Sequence, residues 1–254
     1  MKAAIREQLL ALCPELGVLE TIEIYVPKAK AHGDFSTNAV LKAAKVLGRK
    51  PMELAMEWAS SMKANWTEVE DVKAVPPGFI NFYMGDRWLY GILDKSPSET
   101  MTEEREEKLK HILAKGENRQ EIRALLPQEE VQRLQYVHSR ISSVTRILIN
   151  EGAYKAEKET LLPAYSYGTL EKEILKMLWN YEGIIHESLK EEGVHSLLSY
   201  LLRLGNLFYS YHEGILFRSL SPEDLYGTLQ VMGAIKEIVG QLLRLLNVPA
   251  PEKM

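Results

Sequence analysis

AVPPGFINFYM, residues 74–84, reads as a stiff turn followed by a strand. Pro76 and Pro77 fix φ, and Gly78 can take backbone angles closed to other residues. Beyond the turn the side chains alternate, with Ile80, Phe82 and Met84 on one face and Phe79, Asn81 and Tyr83 on the other. The first set is a core face. The second sets two aromatic rings about an amide, which suits a flat, polar ligand. A strand buried on both sides, with its Asn satisfied by the protein, fits the same pattern.

Working outward, TIEIYV (21–26) alternates Ile22, Ile24 and Val26 as a strand does. PKAKAHGDFST is a loop leading to a helix that starts near Asp34 or Ser36 and ends near Gly48. Pro51 heads a second helix, since proline is tolerated in a first turn. Strands at 68–75 and 78–84 follow, and DRWLYGIL closes the unit as a helix. No helical crossovers separate the strands, so residues 1–94 are expected to form an α+β domain, an antiparallel sheet covered by helices. Residues 95–127 are rich in charge and bounded by Pro97 and Pro127, and read as a linker of exposed helical pieces without a core. Residues 128–254 read as an all-α bundle. Leu134, Val137, Ile141, Val144 and Leu148 form one stripe, and Val194, Leu197, Leu201, Leu204 and Phe208 form another. On the flank of the first stripe lie Arg133, Tyr136, Arg140 and Ser143. The last helix opens at SPED with Ser221 as N-cap and Pro222 in its first turn.

The bulk numbers bound the function. With 46% hydrophobic and 26% charged residues, the 254-residue chain has the composition of a soluble globular protein. No apolar run approaches the ~18 residues of a membrane span. One cysteine, Cys13, leaves no internal disulfide, and the cytoplasm is the expected compartment. A net charge of −4 argues against indiscriminate nucleic-acid binding, yet Lys28, Lys30, Lys42, Lys45, Arg49 and Lys50 gather against one acid, Asp34. A solvated helix face or an RNA backbone explains that patch equally well. The phosphate-binding loop, dinucleotide fingerprint, zinc-protease and serine-hydrolase motifs are all missing. The six histidines are scattered, so no catalytic residue, metal or cofactor is expected.

Several stretches together carry a resemblance. KAKAHGDFSTNAVLKAAKVLGRKPMELA followed by VPPGFINFYM is similar to the amino-terminal additional domain of arginyl-tRNA synthetases. QYVHSRISSVTRILINEG resembles that family's helix of the type QYAHARICSILRKAG. LLSYLLRLGNLFYSYHEGIL and LLRLLNVPAPEKM resemble its DALR-type anticodon-binding domain, down to the Pro-Glu-Arg/Lys-Met tail. The family places a Rossmann-type catalytic domain with HIGH and KMSK signatures between these parts, where this chain has only residues 95–127. HGDF at 32–35 belongs to the amino-terminal motif, and KAEKE at 155–159 is not KMSK. The resemblance therefore implies a non-catalytic relative that binds tRNA, most naturally arginine tRNA, with no aminoacyl-adenylate chemistry and no membrane. A tRNA-processing enzyme or a synthetase is the partner it suggests. At the tRNA elbow it implies Phe79, Asn81, Tyr83, Lys28, Lys30 and His32, an unstacked base lying on Phe79 while the Asn81 amide reads its edge. At the anticodon loop it implies Tyr136, Arg140, Arg146, Asn206, Tyr209 and Met254, with Arg146 on a different helix face from Arg140. A scaffold that kept the folds and lost the RNA, and a synthetase piece completed in trans, are the alternatives.

Overall fold

A computed structural model describes residues 2–14, 22–27, 29–85, 88–89, 91–93, 96–154 and 168–254. The chain divides into two compact units, residues 1–88 and 89–254.

The first unit runs α1 (Lys2–Leu12), β1 (Ile24–Tyr25), β2 (Phe35–Thr37), α2 (Ala39–Leu47), α3 (Pro51–Asn65), β3 (Val69–Val75) and β4 (Phe79–Met84). Its four strands form one antiparallel sheet in the order β1-β2-β4-β3. The core face is the expected one: Ile80 and Phe82 have no exposure and Met84 little. Against it lie Val40 and Ala43 of α2 and Leu54, Trp58 and Met62 of α3, all buried. Trp66 meets Phe82 edge-on at 6.1 Å, and Trp88 meets Phe35 likewise at 5.7 Å.

Two expectations change here. Residues 35–37, read as the head of a helix, are a strand, and the helix starts only at Ala39. Phe35, Ser36 and Thr37 pair with Phe82, Asn81 and Ile80, and the Thr37 hydroxyl accepts the Ala39 amide at 3.2 Å, turning the chain out of the sheet. Of the strand expected over 21–26, Ile24 and Tyr25 are in the ladder among the described residues. The closing helix expected from DRWLYGIL falls partly outside the described residues.

The HGD motif has a mechanical role. Gly33 sits at φ +83°, and a Cβ there would lie 2.5 Å from the Phe82 carbonyl oxygen. Only glycine permits that approach. It lets the Asp34 amide donate to Phe82 O at 2.8 Å while the Asp34 carboxylate accepts the Met84 amide at 2.9 Å. The motif thus latches the loop to β4.

The second unit contains α4 (Glu103–Leu113), α5 (Gly116–Leu125), α6 (Gln128–Asn150), α7 (Thr169–Glu191), α8 (His195–Glu213) and α9 (Pro222–Leu245). Both predicted stripes are buried throughout, the first on α6 and the second on α8 with Val194 at its N-cap. Ser221 caps α9, its hydroxyl accepting the Asp224 amide at 3.1 Å. The stretch 95–127, expected as a linker without a core, belongs to this unit over its described residues, 96–127. Leu109, Ile112 and Leu113 of α4 are buried beside α7, and the Ser96 hydroxyl bonds Glu237 on α9. Asn118 of α5 is 5% exposed and donates to the carbonyls of Ile112 (2.8 Å) and Glu192 (3.2 Å). The cause is a narrow apolar stripe hidden in a glutamate- and lysine-rich helix. Among the described residues no helix is long and apolar enough to cross a membrane.

Candidate nucleic-acid interface

On the outer face of the sheet, strand register sets Tyr25, Ser36, Asn81 and Lys73 in one row across all four strands. Asn81 is only 3% exposed, and its Oδ1 accepts the Ser36 hydroxyl at 2.7 Å. The same hydroxyl lies 3.2 Å from the Tyr25 oxygen. Tyr83 is half-buried, donates to the Ala31 carbonyl at 2.7 Å and carries the Lys73 ammonium 4.6 Å from its ring centre. Phe79 is half-buried opposite Val75. The expected geometry, with Asn81 open to a base edge, is therefore not what this face presents: the amide is enclosed and bonded within the sheet. Phe79, Tyr83 and the 39%-exposed Tyr25 are what a ligand would meet. His32 is exposed on the 3-10 turn Lys30–His32. Lys28 and the side chain of Lys30 lie outside the described residues.

The second unit brings its expected residues together more tightly. Tyr136 on α6 and Tyr209 on α8 stack with ring centres 5.7 Å apart and planes 9° apart. The Arg133 guanidinium lies 5.1 Å from the Tyr209 ring centre, and its Nη2 donates to Asn206 Oδ1 at 2.9 Å. The Tyr209 hydroxyl in turn donates to the Arg133 carbonyl at 3.1 Å, and burial pushes its pKa up. Glu130 holds the other side of Arg133 at 3.0 Å. One turn along α6, Arg140 Nε donates to His212 Nε2 at 3.0 Å. Helix periodicity explains the row, since Arg133, Tyr136 and Arg140 are spaced three and four apart beside the buried stripe.

Arg146 and Met254 stand apart from this cluster. Arg146 donates to the Ser143 hydroxyl at 3.2 Å and lines a separate cleft with Thr145, Ile149, Gly233 and Lys236. Met254 is 72% exposed, at the end of a tail anchored to α6 and α9. Gln135 donates to Pro249 O and His138 Nδ1 bonds Pro251 O, each at 2.9 Å, while Lys236 pairs with Glu252 at 3.1 Å. The Ser142 hydroxyl, helped by Lys236 and His138, holds the Glu252 carboxyl below its ordinary pKa. Gly240 makes room for this docking, since a Cβ there would come within 3.0 Å of the His138 ring. Arg133 and His212 were not among the predicted site residues. For Arg133 the signal was present, three residues before Tyr136 on the same flank. For His212 it was not, because its partner lies on another helix. Among the described residues no group of three or more His, Cys, Asp or Glu side chains could hold a metal ion.

Two family models match the chain. Residues 1–84 match the arginyl tRNA synthetase N terminal domain and residues 134–254 match the DALR anticodon binding domain. The chain thus carries an arginyl-tRNA synthetase N-terminal domain and a DALR anticodon-binding domain. The arginine--tRNA ligase of Acetivibrio thermocellus is 40% identical over 75 residues, which are 30% of this chain and 13% of that protein. That of Bacillus subtilis is 33% identical over 94 residues, 35% of this chain and 17% of that protein. The chain thus matches only a small part of the length of these relatives. A solved Thermus thermophilus arginyl-tRNA synthetase aligns with 48% of this chain and 20% of its own, at 24% identity and a TM-score of 0.40. The matched domains of this synthetase relative point to a tRNA-related role.

Proposed function

We propose that this synthetase relative is a non-catalytic tRNA-binding protein of the cytoplasm whose principal grip is the α6–α8 surface on an anticodon loop. The observation that carries the reading is the Tyr136–Tyr209 stack, flanked by Arg133, Arg140 and Asn206, within a domain matched to an anticodon-binding family. Splayed RNA bases are held by stacking on aromatic rings and arginine planes, and their backbone by cations. Tyr136, 39% exposed, extends the stack toward solvent and offers a further base its place. The sheet face contributes a second, weaker contact at the tRNA elbow through Phe79 and Tyr83, on a platform that Asn81 stiffens from within. Absence of amino-acid activation is part of the proposal, because residues 85–133 are all that separates the two matched domains, and within them Glu103–Leu113 and Gly116–Leu125 are helices of the second unit. Arginine tRNA is the proposed ligand by family.

The test is a binding survey across total tRNA, paired with an arginylation assay. Retention of arginine tRNA with salt-sensitive affinity and no charging is the expected result. Charging by the isolated chain, or a stable protein partner with no tRNA shift at low salt, overturns the reading.

A further inference from the structure

Arg140 is held in an unusual way. Arg133, Arg203 and Arg218 each pair with a carboxylate, whereas Arg140 has none among the described residues. Its partner is an imidazole. The Nε–H donates to His212 Nε2 at 3.0 Å, so that nitrogen supplies a lone pair and the ring proton sits on Nδ1. A protonated imidazole has no lone pair to offer, so the bond exists only while His212 is neutral.

The surroundings keep it so. Phe208 and Phe217 pack on the ring with centres 5.3 and 5.8 Å away. Burial, and then the Arg140 charge, lower the His212 pKa, with Glu213 on its own helix opposing them. From the other packed elements, α6 contributes Arg140 itself, and the turn holding Phe217 contributes Arg218, which Glu151 engages at 2.7 Å. A guanidinium fixed by Nε keeps its two terminal amino groups for a bidentate contact, the geometry that suits phosphate.

We propose that His212 is a positioning residue: as a neutral ring it anchors Arg140 and aims the guanidinium at a phosphate of the RNA bound beside the Tyr136–Tyr209 stack. This rests on the tRNA-binding function proposed above. Acidification then acts against RNA capture. A proton on Nε2 removes the acceptor and sets two cations 3.0 Å apart, so Arg140 leaves its place. A surface histidine with no such role acts with the opposite sign, since its new charge strengthens attraction to RNA.

Two measurements on the full chain test this. In the free protein, the His212 ring is followed by NMR through a pH titration. Arg140→Ala is expected to raise its midpoint toward the ordinary imidazole range, and an unchanged midpoint overturns the contact without reference to RNA. In the second, total tRNA is titrated at pH 7.5 and 5.5. His212→Leu is expected to lose roughly tenfold in affinity at pH 7.5, as does Arg140→Ala, with the double variant no weaker than either. His212→Gln, whose amide oxygen accepts at any pH, recovers most of that loss and weakens less on acidification than the wild type. Additive losses, or a His212→Leu affinity equal to wild type, overturn the role. A wild-type chain that binds no tRNA removes the proposed function and this role together, and the NMR arm then reports whether the contact stands.

Discussion

On the sheet face of the first unit the protein itself engages the polar groups, Asn81 through Ser36 and Tyr83 through the Ala31 carbonyl. On the α6–α8 surface of the second, Tyr136, Tyr209, Arg133 and Arg140 are arranged beside one another, with Tyr136 and Asn206 open to solvent. Both faces combine aromatic rings with polar side chains, yet they serve different ends. In a four-stranded sheet a polar residue in a central strand must find its hydrogen bonds within the protein, because neighbouring strands shut out water. On paired helices the flank of the buried stripe stays wet, and an arginine there keeps donors for a ligand.

The largest expected effect separates latch from ligand site. Gly33→Ala places a Cβ against the Phe82 carbonyl at a positive φ and should destabilise the first unit by about 2–4 kcal/mol, read as a loss of its thermal transition. A near-normal melt would mean the HGD loop is not latched to β4. Next comes Tyr209→Ala. Removing the ring under the stack should weaken tRNA binding by about 1–3 kcal/mol with little change in melting temperature, and binding curves that superimpose on wild type would deny the second unit its site.

Asn81→Ala sharpens the contrast from the other side. Leaving the Ser36 hydroxyl without its 2.7 Å partner should cost about 1–2 kcal/mol of stability, while tRNA affinity falls less than in Phe79→Ala. The reverse ranking, affinity lost with stability intact, would return Asn81 to the role of a base reader.

Two smaller effects complete the set. Ser221→Ala removes the α9 cap and should cost about 1 kcal/mol by denaturant unfolding, without touching affinity. The folded His212 pKa lies below the ordinary imidazole value of about 6.5, so the unfolded chain binds more protons between the two values. Its contribution to stability is therefore present above that ordinary value and is lost as pH falls through the folded one. His212→Gln should flatten that part of the pH–stability curve.

Most of the architecture was legible from period and punctuation. Alternation along 79–84 gave the core face, and the 3-4 spacing of Leu134 to Leu148 gave the buried stripe of α6. The Gly48, Pro51 and Ser221 signals marked helix boundaries because each acts through its own local backbone. What escaped notice depended on partners distant in sequence. Residues 35–37 are strand because β4 offers a ladder, and three residues carry too little pattern to say so. The apolar positions of α4 were masked by charge on its other faces. At the candidate sites, the resemblance pointed to Tyr136 and Tyr209 but could not reveal that their rings meet, nor that Asn81 would be enclosed. Arg133 could be found by helical spacing; the His212–Arg140 bond needs the fold.

The most direct test is a salt series of anticodon stem-loop RNA binding to the whole chain, wild type against the Tyr136→Ala/Tyr209→Ala double variant. Binding that tightens steeply as salt is lowered, and that collapses in the variant while its helical melt is kept, is the predicted outcome. Equal affinity for the two proteins across the series would contradict it.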